Sequence, residues 1–510
     1  MLDSSARSTS HLFDELKELL HISDVLRTSA KGKEAQNSLD NAENQESFRL
    51  VRDSAALNAD TIGVITASSS LANPEARVSR VSDCLNNGQI ARSIYATRLP
   101  PQVAQLLDTY FAVAHPWFPI VAKHKILRLS CLHANTFMPN VAASPESGDY
   151  AVLWAILSYT VCHSLASVRM RGAETLSFVK EYYAVSRSLL PSENEHHELS
   201  HVQALLLLTL VSMGLEDWTA ARLLSDQAAR MVIAMGLGTP SRTAHFYGAR
   251  QEMTVFLACF VIDSLLSFRL SHLPSMHPID LAAINLLEED EPENWTFCED
   301  DVPHLKPLLA SRSFNRLVEL ALVLNKISRN VWTWPQAANL AETFLMDLKG
   351  WNECLPLEYT SNRAECARPD RHVSLLPYES YFCLTHTATL LWLYLRLISG
   401  EQGLHPLQRP AMNGALRLLT QSLSIISQQS ENFPFWDFPP LLEVVLRTIV
   451  EQSLMLWHAA KPSDIKFFGW WFNELRQKIE TISPTWPAYI SLAYAMKRWQ
   501  HSQECNQPAP

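Results

Sequence analysis

Between His201 and Gly214 the chain reads HVQALLLLTLVSMG. No helical face of this stretch is polar, so a helix formed here has to be surrounded by other protein on all sides. That condition calls for a large helical core. The composition supplies one: 47% of the 510 residues are hydrophobic and only 18% charged, and there are just 14 glycines. A chain of this length can bury an extensive core in one large domain or a few smaller ones.

The flanking sequence repeats the helical pattern. PQVAQLLDTYFAVA is amphipathic and stops at His115-Pro116, and AVLWAILSYTVCHSLASV reads as a buried helix. LSFVKEYYAVSRSLL ends at Pro191. After the apolar helix breaks at Gly214, Asp217 is placed to cap WTAARLLSDQAARMVIAMG, which Gly236 and Gly238 terminate. RQEMTVFLACFVIDSLLSFRL follows, and further helical runs are expected near 311–331, 336–352, 378–399, 409–429, 439–459, 466–481 and 487–500. No stretch alternates with the period of a sheet. The fold class expected is all-α: a large irregular multi-helix domain of antiparallel helical hairpins, preceded by a flexible N-terminal arm.

Four regions are expected. Residues 1–95 are polar and mostly aperiodic, and read as the arm. Within it, helical spacing of Leu12, Leu16, Leu19, Leu20 and Ile22 predicts an amphipathic helix at about 11–27, docked on the body or binding a partner. Residues 96–285 form a helical core. Residues 286–308 form an acidic loop that sets eight acids beside Trp295 and Phe297, either as a solvated loop or as an acidic-hydrophobic contact segment. Residues 309–505 are a C-terminal helical part of the same domain.

Several function classes find no support. The formal charge of −10 gives no general attraction to nucleic acid or anionic membranes. The nine cysteines are scattered without a C-x-x-C pair, which reads as a reduced intracellular set. No apolar run is long enough and uncharged enough to span a bilayer. There is no G-x-S-x-G, P-loop or G-x-G-x-x-G. The densest basic stretch, RTSAKGKEAQ, is short and carries no aromatic residue.

One string does point to chemistry. His197-Glu198-Leu199-Ser200-His201 is H-E-x-x-H, in which two histidines one helical turn apart would hold zinc and the glutamate would act as general base. A zinc hydrolase is therefore the alternative reading. It lacks a third ligand: Ala204 and Leu207 stand where the extended motif needs glycine and histidine. Glu216, the nearest downstream glutamate, is carried to the far end of a helix about 18 Å long. The reading from the residues is therefore no enzyme and no metal site, but a binding and interaction domain. Trp117, Trp154, Trp218 and Tyr110 are core or pocket lining. Arg222, Asp226 and Arg230 form a charged helix face, with Asp263 as a buried partner for Arg230.

Four segments, in order, resemble the middle homology domain of fungal zinc-cluster transcription factors. LLDTYFAVAHPWFPIVAKHKIL carries Tyr110, Phe111, His115, Pro116, Phe118, Pro119 and Ile120 at matching positions, and VLWAILSYTVCHS is similar to the small-residue helix that follows. HVQALLLLTLVSMGLEDWTAARLLSDQAARMVIAMGLG carries Gln203, Ala204, Leu205, Trp218, Ala221, Ala228, Arg230, Met231, Gly236 and Leu237. The fourth segment carries Arg250, Asp263 and Pro274, with Val255 and Phe256 in the region of the usual tryptophan. The later helices resemble the quinate-utilisation activator branch. The resemblance implies a nuclear transcription regulator of catabolic or secondary-metabolite genes. It implies protein partners, as a homo- or heterodimer or in the transcription machinery, and room for a small effector. It implies no membrane association. The family's zinc cluster needs six closely spaced cysteines, and only Cys84 precedes the middle domain. No cofactor is therefore expected in this chain, and DNA contact is expected through a partner or through a zinc-cluster exon upstream of Met1.

Overall fold

The computed structural model describes residues 98–133, 147–164, 173–192, 194–238, 249–278, 281, 286–287, 310–330, 332, 336–353, 377–398, 408–432, 438–460, 462–482 and 486–506. The arm, its amphipathic helix and nearly all of the acidic segment lie outside these residues. Among the described residues there are fourteen helices and no strand, so the fold is all-α. They are α1 (Val103–Val113), α2 (Lys123–Leu132), α3 (Ser147–Ser164), α4 (Ala173–Ser188), α5 (Leu199–Gly214), α6 (Trp218–Ala234), α7 (Ala249–Leu270), α8 (Ala310–Arg329), α9 (Gln336–Glu353), α10 (Pro377–Ile398), α11 (Gln408–Asn432), α12 (Pro440–Ala459), α13 (Pro462–Ile482) and α14 (Pro487–Asn506).

Helix α5 is the axis of the core. Every residue from His201 to Gly214 is buried, and α3, α6, α7, α12 and α14 all pack on it. Burying Leu205 to Leu208 contributes about 1.5–3 kcal/mol per side chain relative to exposure. Thr209 is tolerated because its hydroxyl donates to the Leu205 carbonyl at 2.8 Å.

Helix α6 begins and ends where its sequence indicates. The Asp217 carboxylate accepts the Ala220 N–H at 3.0 Å. At the other end the Gly236 and Leu237 N–H groups bond the Ile233 and Val232 carbonyls, a Schellman stop that needs the left-handed Gly236 (φ 67°).

The last three helices close the core from the other side. Trp486 lies flat against Gly214; a β-carbon added there would come within 2.1 Å of the indole. The indole N–H donates to the Phe438 carbonyl at 3.0 Å, and Tyr489 donates to the Pro439 carbonyl at 3.0 Å. Helix α7 is long and apolar enough to cross a membrane, but 78% of its apolar window is buried inside the protein, so it is a core helix.

Candidate functional site

The H-E-x-x-H corner is a helix start. Helix α5 begins at Leu199, so His197 lies before it and the two histidines do not share a helical face. Glu198 is the N-cap. Its side chain accepts the His201 N–H, and its own N–H donates to His201 Nδ1 at 3.0 Å. This is a reciprocal capping box with histidine in the third position. With Nδ1 accepting, Nε2 carries the ring proton and faces the Ser147 hydroxyl at 3.1 Å. Both His201 nitrogens are thus engaged. Burial is the main cause that pulls its pKa down to about 4, with His197 and His196 adding to it. The corner is tight because Gly148 of α3 approaches closely: a β-carbon there would meet Glu198 Oε2 and Ser200 Cβ at 2.8 Å. Ser200 closes the contact by donating to Asp149. Among the described residues no group of three His, Cys, Asp or Glu side chains is placed to hold a metal ion.

The motif positions fall mostly in the core. Tyr110, Pro116, Gln203, Met231, Leu237, Asp263 and Pro274 are buried, and His115, Pro119, Trp218 and Gly236 partly so. The Gln203 side chain links two segments, since its amide donates to the Ile120 carbonyl at 2.5 Å and ties α5 to the Phe-Pro-Ile turn. Burial lowers the His115 pKa to about 4, with Lys123 adding to it. Arg250, at the exposed start of α7, donates to Ser311 of α8 at 3.0 Å.

The Arg230–Asp263 pairing expected from sequence is not formed. Arg230 points outward from α6, and Arg222, two turns earlier, reaches Asp263 instead at 3.2 Å. Along α6 the buried positions are Ala221, Leu224, Ser225, Ala228 and Ala229, followed by Met231 and Val232. Arg222 sits at the edge of that face, close enough for its guanidinium to turn inward. It also donates to Ser267 at 2.7 Å and to the Leu273 carbonyl at 3.0 Å, and pairs with Asp226 at 3.0 Å. Asp263 accepts the Met276 N–H with its second oxygen at 2.8 Å. Burial raises its pKa, while the Met276 and Ser275 N–H groups and Arg222 pull it back. From α8, Arg329 donates to the Pro274 and Met276 carbonyls at 2.8 and 2.6 Å. Two arginines and one buried carboxylate therefore fix the Leu273–Met276 turn after α7. The Pro274 carbonyl is one of the anchors of that turn.

A second charged cluster lies at the far end of α5, and only Glu216 of it drew attention in the sequence. Arg447 of α12 reaches Glu216 in the α5–α6 turn at 3.1 Å and Glu443 on its own helix at 2.6 Å. Ser491 of α14 donates to Glu216 at 2.7 Å. Glu443 is fully buried, and burial raises its pKa to about 7 against the opposing pull of Arg447. The readable signal was a glutamate and an arginine one turn apart inside the apolar run PLLEVVLRTIV. Their partner across 231 positions was not readable.

Both charged clusters bridge elements that are distant in sequence. Their polar groups hold helices together. Residues 107–351 match the fungal specific transcription factor domain. The quinic acid utilization activator of Emericella nidulans is 36% identical over 285 residues, which cover 51% of this chain and 33% of that protein. Transcription factor qa-1f of Neurospora crassa is 30% identical over 216 residues, 40% of this chain and 26% of that protein. The matches thus span a third or less of these relatives' length. No solved structure matches.

Proposed function

We propose that the chain, whose residues 107–351 match the fungal specific transcription factor domain, is a nuclear transcription regulator of that family acting through its all-helical regulatory domain. The observation that carries this reading is the match over residues 107–351. The name of the Emericella nidulans relative, a quinic acid utilization activator, supports control of a catabolic pathway of the kind that uses a small organic acid.

The regulator works by protein contact, as a homo- or heterodimer or with the transcription machinery, and a small effector is compatible with that role. The 510 residues hold no six-cysteine cluster, so DNA contact comes from a partner or from sequence encoded upstream. The domain is not catalytic and needs no zinc of its own. A tethering assay tests the reading. Fused to an unrelated DNA-binding domain, the chain is expected to change transcription of a reporter several-fold in either direction; an unchanged reporter, with the fusion present in the nucleus, overturns it. Metal analysis of the purified chain is expected to give well under one zinc per molecule, and stoichiometric zinc lost on His201→Ala would revive the hydrolase.

A further inference from the structure

The α5–α6 turn contains a backbone anomaly. The Glu216 and Asp217 N–H groups bond the Met213 and Ser212 carbonyls, the same Schellman stop that ends α6. At the end of α6 the left-handed position is Gly236. At the end of α5 it is Glu216, with φ 64°. A side chain in that conformation is strained relative to glycine. Such strain persists where surrounding contacts over-determine the residue. Here they are Arg447 from α12 and Ser491 from α14, both on the Glu216 carboxylate.

We propose that the α5–α6 turn is held to α12 and α14 by a proton-dependent latch, in which Glu443 and Glu216 compete for the single guanidinium of Arg447. The charged and titratable groups around Glu443 are few. Arg447 lies on its own helix, Glu216 in the turn, Arg269 on α7 and Tyr489 on α14. Arg269 is engaged by Glu451 at 2.8 Å, which leaves Arg447 as the cation both carboxylates must share. When Glu443 holds a proton, Arg447 serves Glu216 alone and the turn is tied down. When Glu443 ionises, two carboxylates divide one cation in a buried setting, and the tie weakens.

The sign follows from linkage. With its folded pKa raised to about 7, Glu443 binds a proton in the closed state that the opened state, with an ordinary carboxyl near 4.5, releases. Between pH 6 and pH 8 the closed form loses about tenfold in weight relative to the open form.

Hydrogen exchange of the full chain tests this on peptides spanning 209–220, corrected for the intrinsic pH dependence of exchange. In the wild type, opening of the turn is expected to rise about tenfold from pH 6 to pH 8, with peptides from α8 unchanged. Glu443→Gln keeps the shape and removes the titration, so its step is expected to vanish. Glu216→Gly relaxes the backbone and removes the competing carboxylate, so it folds; its turn is expected to open more at both pH values, with a smaller step. A wild type without the step overturns the proposal, as does a full step retained in either variant.

Discussion

The two ends of helix α5 solve the same problem in opposite ways. At the N-terminal end the orphan N–H groups are met by neutral or local partners: Glu198 and His201 cap each other, and Ser147 takes the remaining ring nitrogen. Everything there is settled within the capping box and one neighbouring helix. At the C-terminal end the turn is tied by a shared guanidinium and a serine from helices more than 200 positions away, and Trp486 presses on a bare glycine. The end that looks like an active site in sequence is a folding signal. The end that reads as a plain Gly-Leu-Glu-Asp turn carries the long-range electrostatics. A motif made of reactive residue types is weak evidence when local backbone roles account for two of its three members, here Glu198 and His201.

Breaking the C-terminal end should have the largest effect. Arg447→Met leaves the buried Glu443 without its cation and frees Glu216, so a loss of about 3–5 kcal/mol is expected from urea unfolding. A loss no larger than that of an exposed pair would remove the contrast between the two ends. Gly214→Ala should cost about 1–3 kcal/mol, because the added methyl overlaps an indole that is itself fully buried. A smaller cost would mean that α14 is less firmly seated than Trp486 suggests.

At the N-terminal end, His201→Ala removes two hydrogen bonds and leaves the Glu198 N–H unmet, with an expected cost of about 1–3 kcal/mol in the same assay. The pH dependence separates the ends further. His201 has a depressed pKa of about 4, so the stability it gives is present above its ordinary value near 6.5 and is lost as pH falls from there towards 4. Glu443 has a raised pKa of about 7, so its contribution is greatest at low pH and is lost as pH rises from about 4.5 through 7. The two slopes oppose each other between pH 4.5 and 6.5, so over that range stability should fall with rising pH in His201→Ala, where Glu443 acts alone, and rise with pH in Glu443→Gln, where His201 acts alone; slopes of the same sign in both variants would contradict the assignment. Asp217→Ala removes only the cap of α6 and should cost about 1 kcal/mol, visible as a small shift in thermal midpoint.

Much of the helical architecture was legible because its causes are local. The all-round apolarity of HVQALLLLTLVSMG, the Asp217 cap and the Gly236 stop each act within a few residues, and each is found where the pattern places it. The structure adds a local role for His201, whose two ring nitrogens meet the Glu198 N–H and the Ser147 hydroxyl. Charge pairing was the part that failed. Arg230 and Arg222 differ by two helical turns and look alike along the sequence. Only the rotation of α6 against α7 decides which of them reaches Asp263.

The sequence alone therefore determined that this chain builds helices, where many of them start and stop, and which family its middle segment resembles, because these depend on periodicity, caps and residue order. Tertiary structure decided the rest: that Arg222 and not Arg230 holds Asp263, that Trp486 covers Gly214, and that Glu443, Glu216 and Arg447 meet. Those contacts depend on how helices far apart in the chain are set against each other, and electrostatic energy falls too steeply with distance and solvent exposure to be read from spacing.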